Sequence, residues 1–230
     1  MTSLKLDLHL HTIYSGDSLI TPKEAVSFAK KKGLDGIAIT DHNTLKALEI
    51  AKKENNSSEL MIIPGMEIET NIGEILALFI SEEISLKDNR FFSVIEDVKE
   101  KNGLVVIPHP FDFLRSNHLK MSIVEEFSNL KRYIDGIEII NSRIILKYCV
   151  KRAIEFNERY DFFETGGSDA HTKEEIGNGY TLVNGISDKS QENVKRSLLS
   201  KKSESCGNLS SPFVHLKTVL NKIKKGLYFT

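Results

Sequence analysis

The sequence predicts an α/β barrel, a parallel sheet closed or nearly closed on itself and wrapped by helices. Three observations carry this. Segments with strand and helix patterns alternate almost from the start, giving about seven βα units. The apolar runs are short and continuous, as expected for strands buried on both faces. Histidines and acidic residues recur directly after these runs, and the C-terminal strand ends are where a barrel gathers its chemistry. The rival is an open doubly wound sheet. It lacks its usual support, because no glycine-rich phosphate-binding motif follows the first strand.

Residues 4–10 alternate apolar and polar and read as the first strand. Residues 22–32 read as a helix, with Thr21 as N-cap, Pro22 at the first helical position, Glu24 closing a capping box and Gly33 ending it. Residues 36–40 form a buried strand, 44–54 a helix and 60–64 another buried strand. The strand at 74–80 precedes a helix at 91–101, stopped near Gly103, and a strand at 104–108. A helix at 122–132, a strand at 136–140, a long helix at 144–159 and a strand entering Gly166-Gly167 come next. A short strand at 180–183 and a helix at 189–200 complete the predicted domain, residues 1–202. Residues 203–230 read as a tail: a polar loop at 203–211, then a segment at 213–225 that packs as a helix on the barrel or stays loose.

The chain has 230 residues, 40% hydrophobic and 27% charged, which suits a folded domain with a solvated surface. Its formal net charge of -1 gives no electrostatic case for gripping long nucleic acid. Cys149 and Cys206 are far apart and in no CxxC, which argues against a disulfide framework or thiolate zinc site and points to the reducing cytoplasm. No apolar stretch approaches the ~20 residues that span a bilayer, and the N-terminus lacks the apolar run of a signal peptide.

Five of the seven histidines lie in motifs that come after predicted strands. His9 and His11, two apart on a strand, point to one face and can converge on one cation. Thr40-Asp41-His42 follows the second strand. Pro64-Gly65-Met66-Glu67 places a carboxylate after a strand and a tight turn. His109 stands between Pro108 and Pro110, which limit its backbone. Gly167-Ser168-Asp169-Ala170-His171 offers a same-side pair, with glycines that allow a sharp turn. Each motif alone has a bland reading as a polar strand end or rigid loop. Their joint occurrence, each after a strand, points to a multinuclear metal site. Asp41 is expected to orient an imidazole or take a proton from bound water, and Glu138 to hydrogen-bond a ligand histidine beside Asn141. Arg115 and Arg143 each follow a site strand closely, and a guanidinium fork suits a phosphate. His118 and His215 belong to no motif and read as structural.

Taken in order, Asp7-Leu8-His9-Leu10-His11-Thr12, Thr40-Asp41-His42, Gly65-Met66-Glu67, His109-Pro110 and Gly167-Ser168-Asp169-Ala170-His171 resemble the motifs of the PHP (polymerase and histidinol phosphatase) family, over roughly residues 4–200. The resemblance implies a distorted (β/α)7, TIM-like barrel and a phosphoesterase with two or three divalent ions, manganese, iron or zinc. It implies that His9, His11, Glu67 and Asp169 hold one ion, that Glu67 bridges to a second shared with His109, and that Asp17, His42 and His171 hold a third. The sequence departs from the family pattern at Glu74, where many relatives have histidine. A carboxylate ligand there favours manganese or iron(II) over zinc.

The expected reaction is hydrolysis of a phosphate monoester or diester of a small molecule or nucleotide, a short oligonucleotide included, by a metal-generated hydroxide. Asp41, His42 and His171 are the candidates to manage the leaving-group proton, and Tyr14, Phe111 and Phe113 are candidates for base stacking. Two other readings stand beside it. One is a metal-binding regulatory or structural module with little turnover, for which degraded motifs would be expected. The other is a carbon–nitrogen hydrolase of the amidohydrolase type, which usually carries a bridging lysine that is missing here.

Overall fold

The computed structural model describes residues 2–56, 59–85, 87–115, 117–120 and 130–210. The first strand, β1 (Thr2–Asp7), lies between β2 (Gly36–Ile39), parallel to it, and the antiparallel β8 (Gly179–Ile186). One sheet runs in the order β7 (Phe163–Gly167), β6 (Gly136–Asn141), β5 (Leu104–Ile107), β4 (Gly73–Leu78), β3 (Met61–Thr70), β2, β1, β8 and β9 (Ser203–Gly207). Helices α1 (Pro22–Lys31), α2 (Lys46–Glu54), α3 (Phe91–Glu100), α4 (Lys147–Tyr160) and α5 (Gln191–Leu199) accompany it, with a helical turn at Leu130–Tyr133.

The sheet curls until its ends meet, so the barrel is nearly closed. The Gly166 N–H donates to Thr181 Oγ1 at 2.9 Å, and Ser203 Oγ donates to the Glu164 carbonyl at 2.8 Å. This approach needs glycine. A Cβ on Gly166 would lie 2.4 Å from the Tyr180 carbonyl oxygen, and one on Gly179 2.2 Å from that of Gly167.

Strand alternation divides the apolar residues between two sides. Leu4, Leu6, Ala38, Ile63, Leu76, Leu78, Leu104, Val106 and Phe163 form one buried cluster, the filled barrel interior. Their neighbours point outward to the helices. Ile37, Ile39 and Ile62 pack with α1 and α2 residues, and Val105, Ile107, Ile137 and Ile139 pack with Val94, Ile95, Val98 and Phe156.

Three elements differ from expectation. The sheet is mixed, because β3 does not stop at Pro64. It continues through Glu67 to Thr70 and returns as β4 across Asn71-Ile72, too short a link for the crossover a parallel pair requires. Strands β8 and β9 are also antiparallel to their neighbours. Residues 203–207, expected in a polar loop, form β9, whose backbone pairs with β8 from Gly179↔Gly207 to Val183↔Ser203. Backbone pairing needs no apolar side chain, so the composition hid it. Most of the helix expected at 122–132, and the segment at 213–225 with His215, lie outside the described residues. No helix among the described residues is long and apolar enough to cross a membrane, and both thiols are free.

Candidate metal centre

Strand β1 ends at Asp7, whose carboxylate anchors two segments of the site. It accepts the N–H groups of Ser168 at 2.9 Å and Gly177 at 2.9 Å, tying the chain before His9 to the loop before Asp169. Burial pushes Asp7 up to about 6 against these hydrogen bonds. The Asp169 N–H donates to the His9 carbonyl at 2.7 Å, and the His11 N–H to that of Ala170 at 3.2 Å. Two loops that carry candidate ligands are thereby locked together by backbone.

The role expected of the glycines is corrected here. Gly167 does not turn the chain; it provides space, since a Cβ would fall 2.4 Å from that of His9. The left-handed conformation is taken by Asp169 itself, at φ 53°. His109 is likewise at φ 29°, between its prolines. Strained backbone at such residues persists only where the surroundings over-determine it.

Four donor atoms converge. His9 Nε2 lies 3.1 Å from His11 Nε2, 3.4 Å from Glu67 Oε2 and 3.8 Å from Asp169 Oδ1. His11 Nε2 lies 3.1 Å from Glu67 Oε2 and 3.4 Å from Asp169 Oδ1. Donors ~2.1 Å from one tetrahedral ion would stand ~3.4 Å apart, so these residues fit a cation. The orientation agrees: His9 Nδ1 donates to Glu138 Oε1 at 3.1 Å, and His11 Nδ1 bonds Ser15 Oγ at 2.9 Å. Both Nε2 atoms are thus turned into one space. Asp169 Oδ1 is buried there without a hydrogen bond. The hydrogen bond expected of Glu138 is present, and Glu138 Oε2 also accepts from the His109 N–H at 2.8 Å and from Asn141 Nδ2 at 2.9 Å.

Further groups extend the cluster. His109 Nε2 lies 3.0 Å from Glu67 Oε1 and 3.7 Å from Glu74 Oε2. Glu67, expected after a tight turn, instead projects from the middle of β3, opposite Leu76 of β4. Asp17 Oδ2 lies 2.8 Å from His171 Nε2 and 3.7 Å from His42 Nε2. His171 Nδ1 donates to the Asp169 carbonyl at 2.8 Å, aiming Nε2 at Asp17. Among the described residues, five overlapping groups could each hold an ion: His9, His11 and Glu67; His9, His109 and Asp169; His11, Asp169 and His171; His11, Asp17 and His42; and His42, Glu67 and Glu74.

The charges show what the cluster demands. Burial opposes ionisation of Glu67 and Asp169, yet His9 beside Glu67, and Arg115 and His9 beside Asp169, hold both well below the usual carboxylate range. Burial opposes a charge on His11 as well, but Asp169 and Glu67 hold it up at about 10. Burial, then Arg115, lowers His109. Burial and the adjacent Glu67 push Glu74 up to about 8. His9, His11 and Arg115 thus balance these carboxylates here, and divalent cations could supply the same positive charge.

The remaining predicted residues separate. Arg115 enters the site: it pairs with Asp169, and its Nε donates to Asp112 Oδ2 at 3.0 Å. Asp41 does not touch an imidazole. Its oxygens take the Thr12 N–H at 2.5 Å and hydroxyl at 2.6 Å, anchoring the turn after His11. Arg143 is buried behind His171 rather than on the cavity wall, with Nε 3.8 Å from Glu175 Oε1; its N–H donates to Asn141 Oδ1 at 2.9 Å, which tucks the chain inward after β6. His118 makes a local bond, Nδ1 to the Arg115 carbonyl, at 2.6 Å. Sequence reasoning missed Ser15, Asp112 and Glu175, which carry no motif signal. A cavity of about 380 Å³ opens onto the cluster, lined by His11, Asp17, His42, Glu67, Glu74, Arg115, Asp169 and His171 with Leu114 and Asn117.

A nearly closed α/β barrel with buried imidazoles and carboxylates converging at its strand ends defines a metal-dependent hydrolase. The PHP domain model matches residues 7–205. An uncharacterized protein of Methanocaldococcus jannaschii, MJ0417, is 39% identical over 178 residues, covering 77% of this chain and 69% of that protein. The 5'-3' exoribonuclease Rnm of Salmonella typhimurium is 44% identical over 66 residues, 28% of this chain and 22% of that protein. The crystal structure of a two-domain protein from Bacteroides vulgatus, described as containing a predicted PHP-like metal-dependent phosphoesterase, superposes with a TM-score of 0.75 at 20% identity, covering 90% of this chain and 65% of that one. The chain belongs to the PHP domain family.

Proposed function

We propose that the protein hydrolyses a phosphate monoester or diester of a small molecule or nucleotide at a centre of two or three divalent ions. One observation carries this reading: five imidazoles and four carboxylates form one cluster, and three of those imidazoles, His11, His42 and His171, with the carboxylates Asp17, Glu67, Glu74 and Asp169 line a single cavity that also admits the Arg115 guanidinium. His9, His11, Glu67 and Asp169 would hold one ion; Glu67, His109 and Glu74 a second; Asp17, His42 and His171 a third. The carboxylate at Glu74 favours manganese or iron(II) over zinc. Bound ions would supply a nucleophilic water at neutral pH and Lewis acidity toward the phosphoryl oxygens.

The chain's own residues do the rest. Arg115 stands on the cavity wall and offers N–H groups to a phosphate oxygen. With only two ions bound, His42 and His171, which line the same cavity, would be free to return a proton to the leaving oxygen. Glu138 keeps the His9 ring oriented, Asp41 holds the turn after His11, and Arg143 with Glu175 supports His171 from behind. A near-neutral charge and free thiols fit a small phosphorylated substrate in the cytoplasm.

The test is metal content by mass spectrometry on protein purified without chelator, paired with phosphate release from p-nitrophenyl phosphate and nucleotides before and after Mn²⁺ addition. Two or three ions with metal-dependent release are expected. Stoichiometric metal without release from any ester would favour the binding-module reading. No metal bound or taken up would sink the assignment.

A further inference from the structure

The turn that follows His11 does more than connect two segments. Asp41 clamps its first residue, Thr12, through both carboxylate oxygens. The short helical turn Ile13–Ser15 closes with the Ser15 N–H on the Thr12 carbonyl at 3.0 Å. Gly16, at φ 80°, ends it in the left-handed conformation that glycine adopts without strain. The Ile13 N–H donates to the Ile20 carbonyl at 2.8 Å, so the far side of the turn is tied as well. Ser15 is thereby fixed with its hydroxyl directed back at the metal centre.

That hydroxyl meets two candidate ligands from different strands. Ser15 Oγ lies 2.9 Å from His11 Nδ1 and accepts the His42 N–H at 3.2 Å, across 27 residues. A hydroxyl has two acceptor positions, and these two donors fill them. The direction of the His11 bond follows from the other side of its ring. Nε2 is the atom 3.1 Å from Glu67 Oε2 and 3.4 Å from Asp169 Oδ1. An imidazole that binds a cation keeps its proton on the nitrogen turned away from it, so Nδ1 donates and Ser15 accepts. The same turn grips His42 twice: its N–H meets Ser15, and its Nε2 lies 3.7 Å from Oδ2 of Asp17, two residues further on. The His11 and His42 ring centroids are 4.7 Å apart, so a shift of one ring is felt by the other. A serine that served only the turn would need no more than its own N–H bond to Thr12.

We infer that Ser15 is a positioning residue for two ions at once, its single hydroxyl oxygen orienting the His11 ring toward one and holding the His42 backbone in place for another. This deepens the metal-dependent reading and rests on it for the presence of the ions. Ser15 acts through the two histidines and not on the substrate. Its neutrality suits the place. His9 is oriented by the charged Glu138, whereas His11 is oriented by a hydroxyl, which adds no further carboxylate to a cluster already crowded with them.

The experiment is a competition titration of Mn²⁺ against a chromophoric chelator, resolved into successive ions, on wild type, Ser15→Ala, Ser15→Thr and Ile13→Ala. Ser15→Ala should weaken two of the ions roughly tenfold each. Ser15→Thr keeps the hydroxyl and should bind close to wild type. Ile13→Ala trims a side chain of the same turn that is 41% exposed, and should also bind as wild type, which separates loss of the hydroxyl from loss of the turn. Weakening of one ion alone would leave Ser15 serving a single histidine and overturn the double role. No weakening, equal weakening by Ile13→Ala, or a Ser15→Thr variant no better than Ser15→Ala would overturn it as well. If the wild type takes up fewer than two ions, the multinuclear reading fails separately, and NMR of the metal-free protein decides the clamp. Wild type and Ser15→Thr should then show a His11 Nδ1 proton and a His42 amide that exchange slowly with solvent, and Ser15→Ala should speed both. Unchanged exchange at either position would overturn the inference.

Discussion

Replacing Glu138 by glutamine keeps the size of a fully buried side chain and removes its charge. The wild-type carboxylate accepts on both oxygens: from His9 Nδ1 at 3.1 Å on one, and from the His109 N–H at 2.8 Å and Asn141 Nδ2 at 2.9 Å on the other. An amide has one acceptor and one donor. If its oxygen faces His9, its NH₂ meets two donors. If its oxygen faces His109 and Asn141, its NH₂ faces His9 Nδ1, and the ring must shift its proton to Nε2, the atom 3.1 Å from His11 Nε2. Either arrangement damages the centre. A buried polar group left without a partner costs ~1–3 kcal/mol. Losing the outer partner of a metal-binding histidine typically lowers metal affinity ~10–100-fold, which corresponds to ~1.4–2.8 kcal/mol. The two figures agree in size, so Glu138→Gln should bind Mn²⁺ or Zn²⁺ at least ~10-fold more weakly in competition with a chromophoric chelator. Melting in excess chelator reads the structural cost separately. Affinity within twofold of wild type would refute the argument that Glu138 orients His9 for a metal.

Other contacts of the fold and the site carry their own expectations. Gly136→Ala would drive a Cβ to 2.2 Å from the Phe163 ring in the barrel core, so a loss of ~1–3 kcal/mol is expected, read as a lower midpoint in chemical denaturation. Thr21→Ala removes the hydroxyl that caps α1, at a cost of ~1 kcal/mol in the same assay. The Glu24 carboxyl in that capping box is held below the glutamate range by the Thr21 N–H, so its contribution is present above the ordinary glutamate pKa and is lost as pH falls through the lowered value. Glu24→Gln should therefore flatten the acid limb of the stability profile, and an unchanged limb would count against the cap. Glu74→His should move metal preference from manganese toward zinc, measured as the ratio of the two affinities.

Much of the site was written in short stretches. His9 and His11, Asp41-His42, His109 and Asp169-Ala170-His171 are visible because a barrel collects chemistry at successive strand ends, and each motif keeps its place beside its own strand; Glu67 is visible by residue type, and the structure sets it inside β3. The helix boundaries were legible for a similar local reason: Thr21, Pro22 and Glu24 form the capping box their order predicts. The tertiary structure decided matters of pairing and neighbourhood. The Asn71-Ile72 link made β4 antiparallel, and β9 took its place through backbone bonds that its polar side chains do not announce. Folding alone sent Arg115 to Asp169 while burying Arg143 against Glu175, though both come after site strands and look alike in sequence. It also gave Asp41 to Thr12 and placed Ser15 behind His11. Residue type and local spacing say which atoms can bind a cation; where an imidazole points is set by its second nitrogen's partner, which comes from a distant segment, as Glu138 comes to His9 across 129 residues.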